Sequence, residues 1–194
     1  MVSEAPPMIA LFQVAQQVQE LCQARGWRFC FIGGVALQRW GQPRVTQDVD
    51  LTLLTGFGDE EKYAGTLLAR FPGRIADPLE FAVRYRVLLL QSEAGVPIDI
   101  SLGALPYEEL MVSRASDFQF LPEIALRTCS AEDLVILKAF ADRLRDWSDI
   151  ESILLRQQNK IDWRYVEQNL KPLVKAKEAP HILERLAELR GEGH

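Results

Sequence analysis

Apolar residues at Met8, Leu11, Phe12, Ala15, Val18, Leu21 and Cys22 recur at steps of three and four, leaving the glutamines between them on the opposite side. That spacing predicts an amphipathic helix over Met8–Arg25, with Gly26 as its stop. A short apolar run, residues 27–32, then reads as a buried strand that ends at Gly33-Gly34. Val35 to Trp40 follows as a short helix whose first N–H groups face the glycine turn, a placement suited to a phosphate. Residues 45–54 alternate, with Val49, Leu51 and Leu53 on one face and Asp48, Asp50 and Thr52 on the other, as a strand requires. A helix is predicted over 59–71, with Tyr63, Leu67, Leu68 and Phe71 as its apolar side and Pro72-Gly73 as its end. Residues 83–91 and 96–102 flank Ser92-Glu93-Ala94-Gly95 and predict a hairpin, Ile98 and Ile100 facing away from Asp99. A helix over 105–112, an extended piece over 118–121 and a short strand or link at 127–129 complete this part.

From Ser130 onward the pattern is helical throughout. Ser130 and Asp133 form a capping pair that opens a helix reaching Leu144, and Ser148 with Glu151 suggests a second such pair in a helix over 147–157. Asp162 caps a third helix over 163–173, limited by Pro172, and Pro180 opens a fourth reaching Leu189. The acidic tail beyond it reads as solvated surface. The expectation is an α+β protein: residues 1–125 as a core carrying a small mixed sheet flanked by helices, and 126–194 as a helical region packed on that core as one unit.

Composition changes this picture only by exclusion. Hydrophobic residues are 48% and charged residues 25% of the 194, the balance of an ordinary globular chain. No apolar run approaches the roughly 18 residues a spanning helix needs, and the first residues lack a basic, then apolar, leader pattern. Cytoplasmic residence without membrane contact is the expectation. Cys22, Cys30 and Cys129 are unclustered and set among apolar neighbours, so neither a disulfide framework nor a zinc site is indicated. With His181 and His194 the only histidines, histidine-based metal or triad chemistry is disfavoured. A net charge of −5 argues against a general nucleic-acid coat while leaving room for a local basic patch. The chemistry must come from carboxylates, lysine and arginine.

Asp48 and Asp50 stand one residue apart, so on a strand their carboxylates share a face and repel unless a cation joins them. If the strands on either side of Gly33-Gly34 are neighbours, those carboxylates lie beside backbone N–H groups able to hold phosphates. Mg²⁺ takes carboxylate and phosphate oxygens together, so this is the layout a metal–nucleotide complex needs. Asp99 supplies a third carboxylate, able to complete a two-ion site and to accept the proton of an attacking hydroxyl. The bland alternative for Asp99 is a strand carboxylate satisfied by Arg84 or Arg86 across the hairpin. Lys138, four residues after Leu134, falls on or beside the buried stripe of its helix and either snorkels or points into a cleft toward a triphosphate. Arg143, Asp146 and Asp149 read more simply as helix-start acids with a paired arginine. The four tryptophans do not suggest a base-stacking platform.

Gly33-Gly34, the run Arg44-Val45-Thr46-Gln47-Asp48-Val49-Asp50-Leu51 and the later Asp99 together resemble the polymerase-beta-type nucleotidyltransferase superfamily. Within it, the R-x-T-x-D-x-D run resembles the AbiEii/MenT-like branch of minimal nucleotidyltransferases, toxins of bacterial toxin–antitoxin pairs. Glu132-Asp133-Leu134, Lys138, Arg143, Asp146 and Asp149 are similar to that branch's helical motif. The resemblance implies Mg²⁺, two ions in all, and an NTP as donor. A nucleoside monophosphate would pass to an acceptor hydroxyl or phosphate on tRNA or another RNA end, on protein, or on a small molecule, and a cognate antitoxin is implied as partner. Gly33 and Gly34 would then cradle the triphosphate, with Arg44 and Thr46 beside it and Lys138 contacting it. Asp48, Asp50 and Asp99 would hold the metal, Asp99 also acting as base.

Other readings keep part of this set. The acceptor can be an aminoglycoside-type small molecule, or the fold can persist in a regulatory protein without catalysis. A nucleotide-sugar glycosyltransferase also uses an Asp-x-Asp metal site, but the short chain and the glycines ahead of the aspartates argue against it.

Overall fold

The computed structural model describes residues 8–191; the last residues of the acidic tail, 192–194, lie outside them. The helices are α1 (Met8–Ala24), α2 (Gly33–Trp40), α3 (Glu60–Leu68), α4 (Pro78–Tyr85), α5 (Pro106–Arg114), α6 (Ala131–Ala141), α7 (Leu144–Gln157), α8 (Trp163–Lys177) and α9 (His181–Leu189). The strands are β1 (Phe29–Phe31), β2 (Val49–Leu54), β3 (Val87–Gln91), β4 (Pro97–Gly103), β5 (Ser116–Leu121) and β6 (Ile124–Thr128). The chain divides into two compact units: one runs to Ala36 and resumes over Arg44–Cys129, the other holds Leu37–Pro43 and the chain from Ser130.

The first unit carries a six-stranded mixed sheet in the order β3-β4-β2-β1-β6-β5. Its centre sets the register of everything that follows. β1 pairs antiparallel with β2 (Phe31 opposite Leu51), and β2 pairs parallel with β4 (Asp50 opposite Asp99). Leu11, Ala15 and Val18 of α1, Val49, Leu51 and Leu53 of β2, and Ile98 and Ile100 of β4 lie in one buried cluster. Full burial of each Leu, Ile or Val side chain among them stabilises the fold by roughly 1.5–3 kcal/mol. The predicted hairpin is present as β3–β4. β5 and β6 form a second hairpin where only short extended pieces were expected.

Several boundaries differ from expectation, each for a local reason. Residues 83–86, read as the start of a strand, close α4 instead: Pro78 opens that helix and Arg86 ends it at φ +57°. A left-handed arginine is uncommon and is held by its side chain, which bonds Glu60 and donates to the carbonyls of Gly56 (2.9 Å) and Leu102 (2.5 Å). β2 begins at Val49, because residues 45–48 form a loop in which Thr46 Oγ1 donates to Asp48 Oδ1 at 3.2 Å.

The second unit is helical, with α6 packed against α7, α8 and α9. Ser130 caps α6 as expected, its hydroxyl accepting from the Asp133 N–H at 3.1 Å and donating to the Asp133 carboxylate at 2.7 Å. The helix stops at Ala141, short of Leu144, because Asp142 turns left-handed (φ +59°). Its carboxylate accepts from Trp147 Nε1 at 2.8 Å and meets His181 Nε2 at 2.7 Å. α7 therefore starts at Leu144, and the expected Ser148–Glu151 pair lies inside it rather than at its cap. Asp162 caps α8 through the Tyr165 N–H at 3.0 Å, but Pro172 does not end the helix, which continues to Lys177. Buried Leu170 and Val174 on either side carry it through the missing hydrogen bond. Among the described residues, no helix is long and apolar enough to cross a membrane.

Candidate active site

β1 and β2 are neighbours, so the glycine pair and the aspartates meet at one edge of the sheet. The Ile32 N–H donates to the Asp50 carbonyl at 2.9 Å, which places Gly33 directly beside Asp50. A Cβ built on Gly33 would land on the Asp50 carboxylate, and one on Gly34 would land on the Thr46 hydroxyl. Gly33 also sits at φ +54°, a conformation that L side chains rarely adopt. The glycines are thus required by the side chains packed on them, Asp50 on Gly33 and Thr46 on Gly34, a reason independent of any phosphate. Thr46, 4% exposed, braces Asp48 through its hydroxyl.

Asp99 reaches the same place from β4. The parallel register sets it opposite Asp50, and one oxygen from each of Asp48, Asp50 and Asp99 lies within 4.8 Å of the others. Neither Arg84 nor Arg86 satisfies Asp99: Arg86 is taken by Glu60, and Arg84 lies 5.4 Å from the Tyr85 ring. The cation at Asp99 is Arg74, with Nη2 2.8 Å from Oδ1. The contact is an ion pair off the line of a hydrogen bond, so Asp99 Oδ1 is a buried acceptor with no hydrogen-bond donor. Burial pushes the Asp99 carboxyl above its ordinary range; Arg74 pulls the other way, and the nearby Asp48 adds to the rise.

These observations fit a divalent cation. The donor set is three carboxylates, the hard oxygen ligands Mg²⁺ takes, and one of their oxygens, Asp99 Oδ1, is a buried acceptor that has the charge of Arg74 beside it but no hydrogen-bond donor. The remaining residues singled out in the sequence are placed as follows. Arg44 is half-buried ahead of Thr46, with Nη1 3.3 Å from the Val45 carbonyl. Lys138 lies in the second unit and is 5% exposed, its ammonium 3.1 Å from Asp146 and 2.6 Å from Asp149. Arg143 donates to Asp146 at 2.6 Å. Burial pushes the Asp146 carboxyl up, but the bond from Arg143 and the charge of Lys138 outweigh it and hold it low.

Arg74 is the residue that sequence reasoning missed. Its loop follows Pro72-Gly73 and docks back on β3, with Gly73 bridging to Leu90 and the Arg74 N–H donating to Leu89 at 2.9 Å. Leu89 is the cross-strand partner of Asp99, which is how the guanidinium arrives. Only the proline-glycine break was visible in the sequence, and it marks a turn without saying where the chain returns.

The site thus joins two adjacent glycines just past β1 with three carboxylates, Asp48 from the loop ahead of β2, Asp50 from β2 and Asp99 from β4. The chain belongs to the family described as nucleotidyl transferase AbiEii toxin, type IV toxin–antitoxin system, whose model matches residues 22–192. Solved structures share the fold. The antibiotic-resistance factor ANT(2'')-Ia is 15% identical with a TM-score of 0.58, covering 89% of this chain and 96% of its own. An antigenic nucleotidyltransferase-like protein from Paracoccidioides brasiliensis is 17% identical with a TM-score of 0.50, covering 92% and 90%. No curated protein matches the chain.

Proposed function

We infer that this nucleotidyltransferase moves a nucleoside monophosphate from an NTP, with Mg²⁺, to a hydroxyl or phosphate of a macromolecular acceptor, an RNA end such as that of tRNA or a protein, as a toxin-like enzyme with a cognate antitoxin. The observation that carries the reading is the convergence of Asp48, Asp50 and Asp99 beside the Gly33-Gly34 backbone. Family membership supports the toxin context and the antitoxin. The proposed setting is the cytoplasm.

In this reading Asp48, Asp50 and Asp99 hold the metal, two ions in all, which when bound neutralises phosphate charge and polarises the α-phosphate. The backbone at Gly33 and Gly34 receives the triphosphate, with Arg44 at the rim and Thr46 keeping Asp48 in place. Asp99 takes the proton as the acceptor oxygen bonds to the α-phosphorus. The bond from that phosphorus to the pyrophosphate oxygen breaks, and pyrophosphate leaves. Catalysis then rests on positioning and charge stabilisation, with no covalent enzyme intermediate. Lys138 enters on the strength of the family resemblance as a triphosphate contact; its bonds to Asp146 and Asp149 supply a structural role as well.

The test is incubation with each radiolabelled NTP and Mg²⁺, with and without total RNA. Label should appear on RNA or on protein with the wild type, and should vanish with Asp48→Ala or Asp50→Ala while circular dichroism stays unchanged. Undiminished transfer by either variant overturns the assignment of the site.

A further inference from the structure

Arg74 stands where a metal would otherwise compete. Its guanidinium is the cation 2.8 Å from Asp99 Oδ1, the one buried side-chain oxygen without a hydrogen-bond partner among the described residues. The backbone beneath it is anchored, through the Arg74 N–H on Leu89 and the Gly73–Leu90 bridge. The side chain is not: it is 28% exposed, and its contact with Asp99 lacks hydrogen-bond alignment. A guanidinium built as a brace for a carboxylate normally donates along two parallel bonds. Arg74 makes the charge contact without that geometry, so it neutralises Asp99 without locking it.

We propose that Arg74 is a placeholder cation: it occupies the Asp99 arm of the site in the ion-free chain, yields it to a divalent ion, and then serves the phosphates of the incoming nucleotide. The inference rests on the nucleotidyl-transfer reading above. A divalent ion on Asp99 Oδ1 repels a guanidinium 2.8 Å from the same oxygen, so ion binding there weakens the Arg74 pair, and the displaced guanidinium is free to meet an anion. The consequence is a pair of effects of opposite sign. Removing Arg74 should tighten the metal and weaken the nucleotide. A mere structural brace predicts the reverse for the metal, because loss of a residue that orients a ligand lowers affinity about 10- to 100-fold.

The experiment is Mn²⁺ binding followed by electron paramagnetic resonance, and binding of a non-hydrolysable NTP analogue followed by calorimetry, on the full chain. Wild type is compared with Arg74→Met and with Arg74→Gln, which keeps a polar group should the methionine variant fold poorly. The expected result is Mn²⁺ bound about tenfold more tightly by both variants, and the analogue about tenfold more weakly, the scale of one lost charge-assisted contact. The melting temperature of the variants should also rise more steeply with Mn²⁺ than that of wild type. Mn²⁺ binding that is unchanged or weakened in the variants overturns the placeholder role, and analogue binding that is unchanged overturns the phosphate role. If wild type binds neither Mn²⁺ nor the analogue, the nucleotidyl-transfer reading itself falls, a result distinct from both.

Discussion

Two groups of acids in this chain, one buried and one half-buried, use the same residue types to opposite ends. Around Lys138 the charges close on themselves: the ammonium bonds Asp146 and Asp149, and Arg143 donates to Asp146. Around Asp50 three carboxylates gather within 4.8 Å, and one oxygen of Asp99 is left without a donor. The first group has its counter-charges hydrogen-bonded in place; the second pairs Asp99 with Arg74 without a hydrogen bond. The closed group is also the more deeply buried: Asp146 is 2% and Asp149 5% exposed, while Asp48, Asp50 and Asp99 are half-buried. They differ too in how the fold satisfies the charges: the acids around Lys138 are hydrogen-bonded to cations, whereas Asp99 has an ion pair to Arg74 that leaves its buried oxygen without a hydrogen-bond donor.

Asp50→Ala, expected to lower transfer by about a thousandfold or more, as loss of a principal charge-stabilising group does, tests the open group directly. In the closed group, Lys138→Met should destabilise the chain by about 3–5 kcal/mol, because it removes the buried cation bonded to Asp149 and Asp146. Urea unfolding followed by tryptophan fluorescence measures it. A Lys138→Met protein of wild-type stability that has lost nucleotide affinity would move Lys138 from the closed group to the triphosphate.

Gly33→Ala should act more mildly on the site, through the placement of Asp50, with a loss of Mn²⁺ affinity of about 10- to 100-fold and a loss of stability of about 1–2 kcal/mol from the positive φ. Full-strength Mn²⁺ binding would show that Asp50 relaxes around the added methyl group. Smallest is a pH effect in the second unit. Hydrogen bonds from His181 and Trp147 hold the Asp142 carboxyl below its usual range. A carboxylate lowered by folding contributes stability that is fully present above its unfolded value, about 3.9, and lost as pH falls through the lowered folded value. Urea midpoints measured from pH 7 down to pH 3 should drop below about pH 4, and Asp142→Asn should flatten that drop. An equally steep drop in the variant assigns the acid sensitivity to other groups.

The elements that were legible are those whose signal lies within a few residues. α1, the β3–β4 hairpin, the Ser130 cap and the Asp162 cap follow from periodicity and local hydrogen bonding. The ends of α4 and α6 were not legible. Arg86 and Asp142 take left-handed conformations that a glycine would have announced, and they hold them with partners tens of residues away or across a turn. Pro172 misled in the other direction, since tertiary packing overrode a strong local breaker.

Sequence by itself determined the donors: which carboxylates exist, that Asp48 and Asp50 stand one residue apart, and that glycines precede them; that Asp48 lies in the loop ahead of β2 rather than on the strand was not legible. Strand alternation and backbone sterics are local, so they are written in the order of residues. Only the tertiary structure decided that Asp99 lies opposite Asp50, that Gly33 and Gly34 must lack side chains because Asp50 and Thr46 fill that space, and that the cation at Asp99 is Arg74. Those facts depend on which strand lies beside which and on where a loop docks back. Such pairings follow from burial summed over the whole core, and no short stretch of sequence contains that sum.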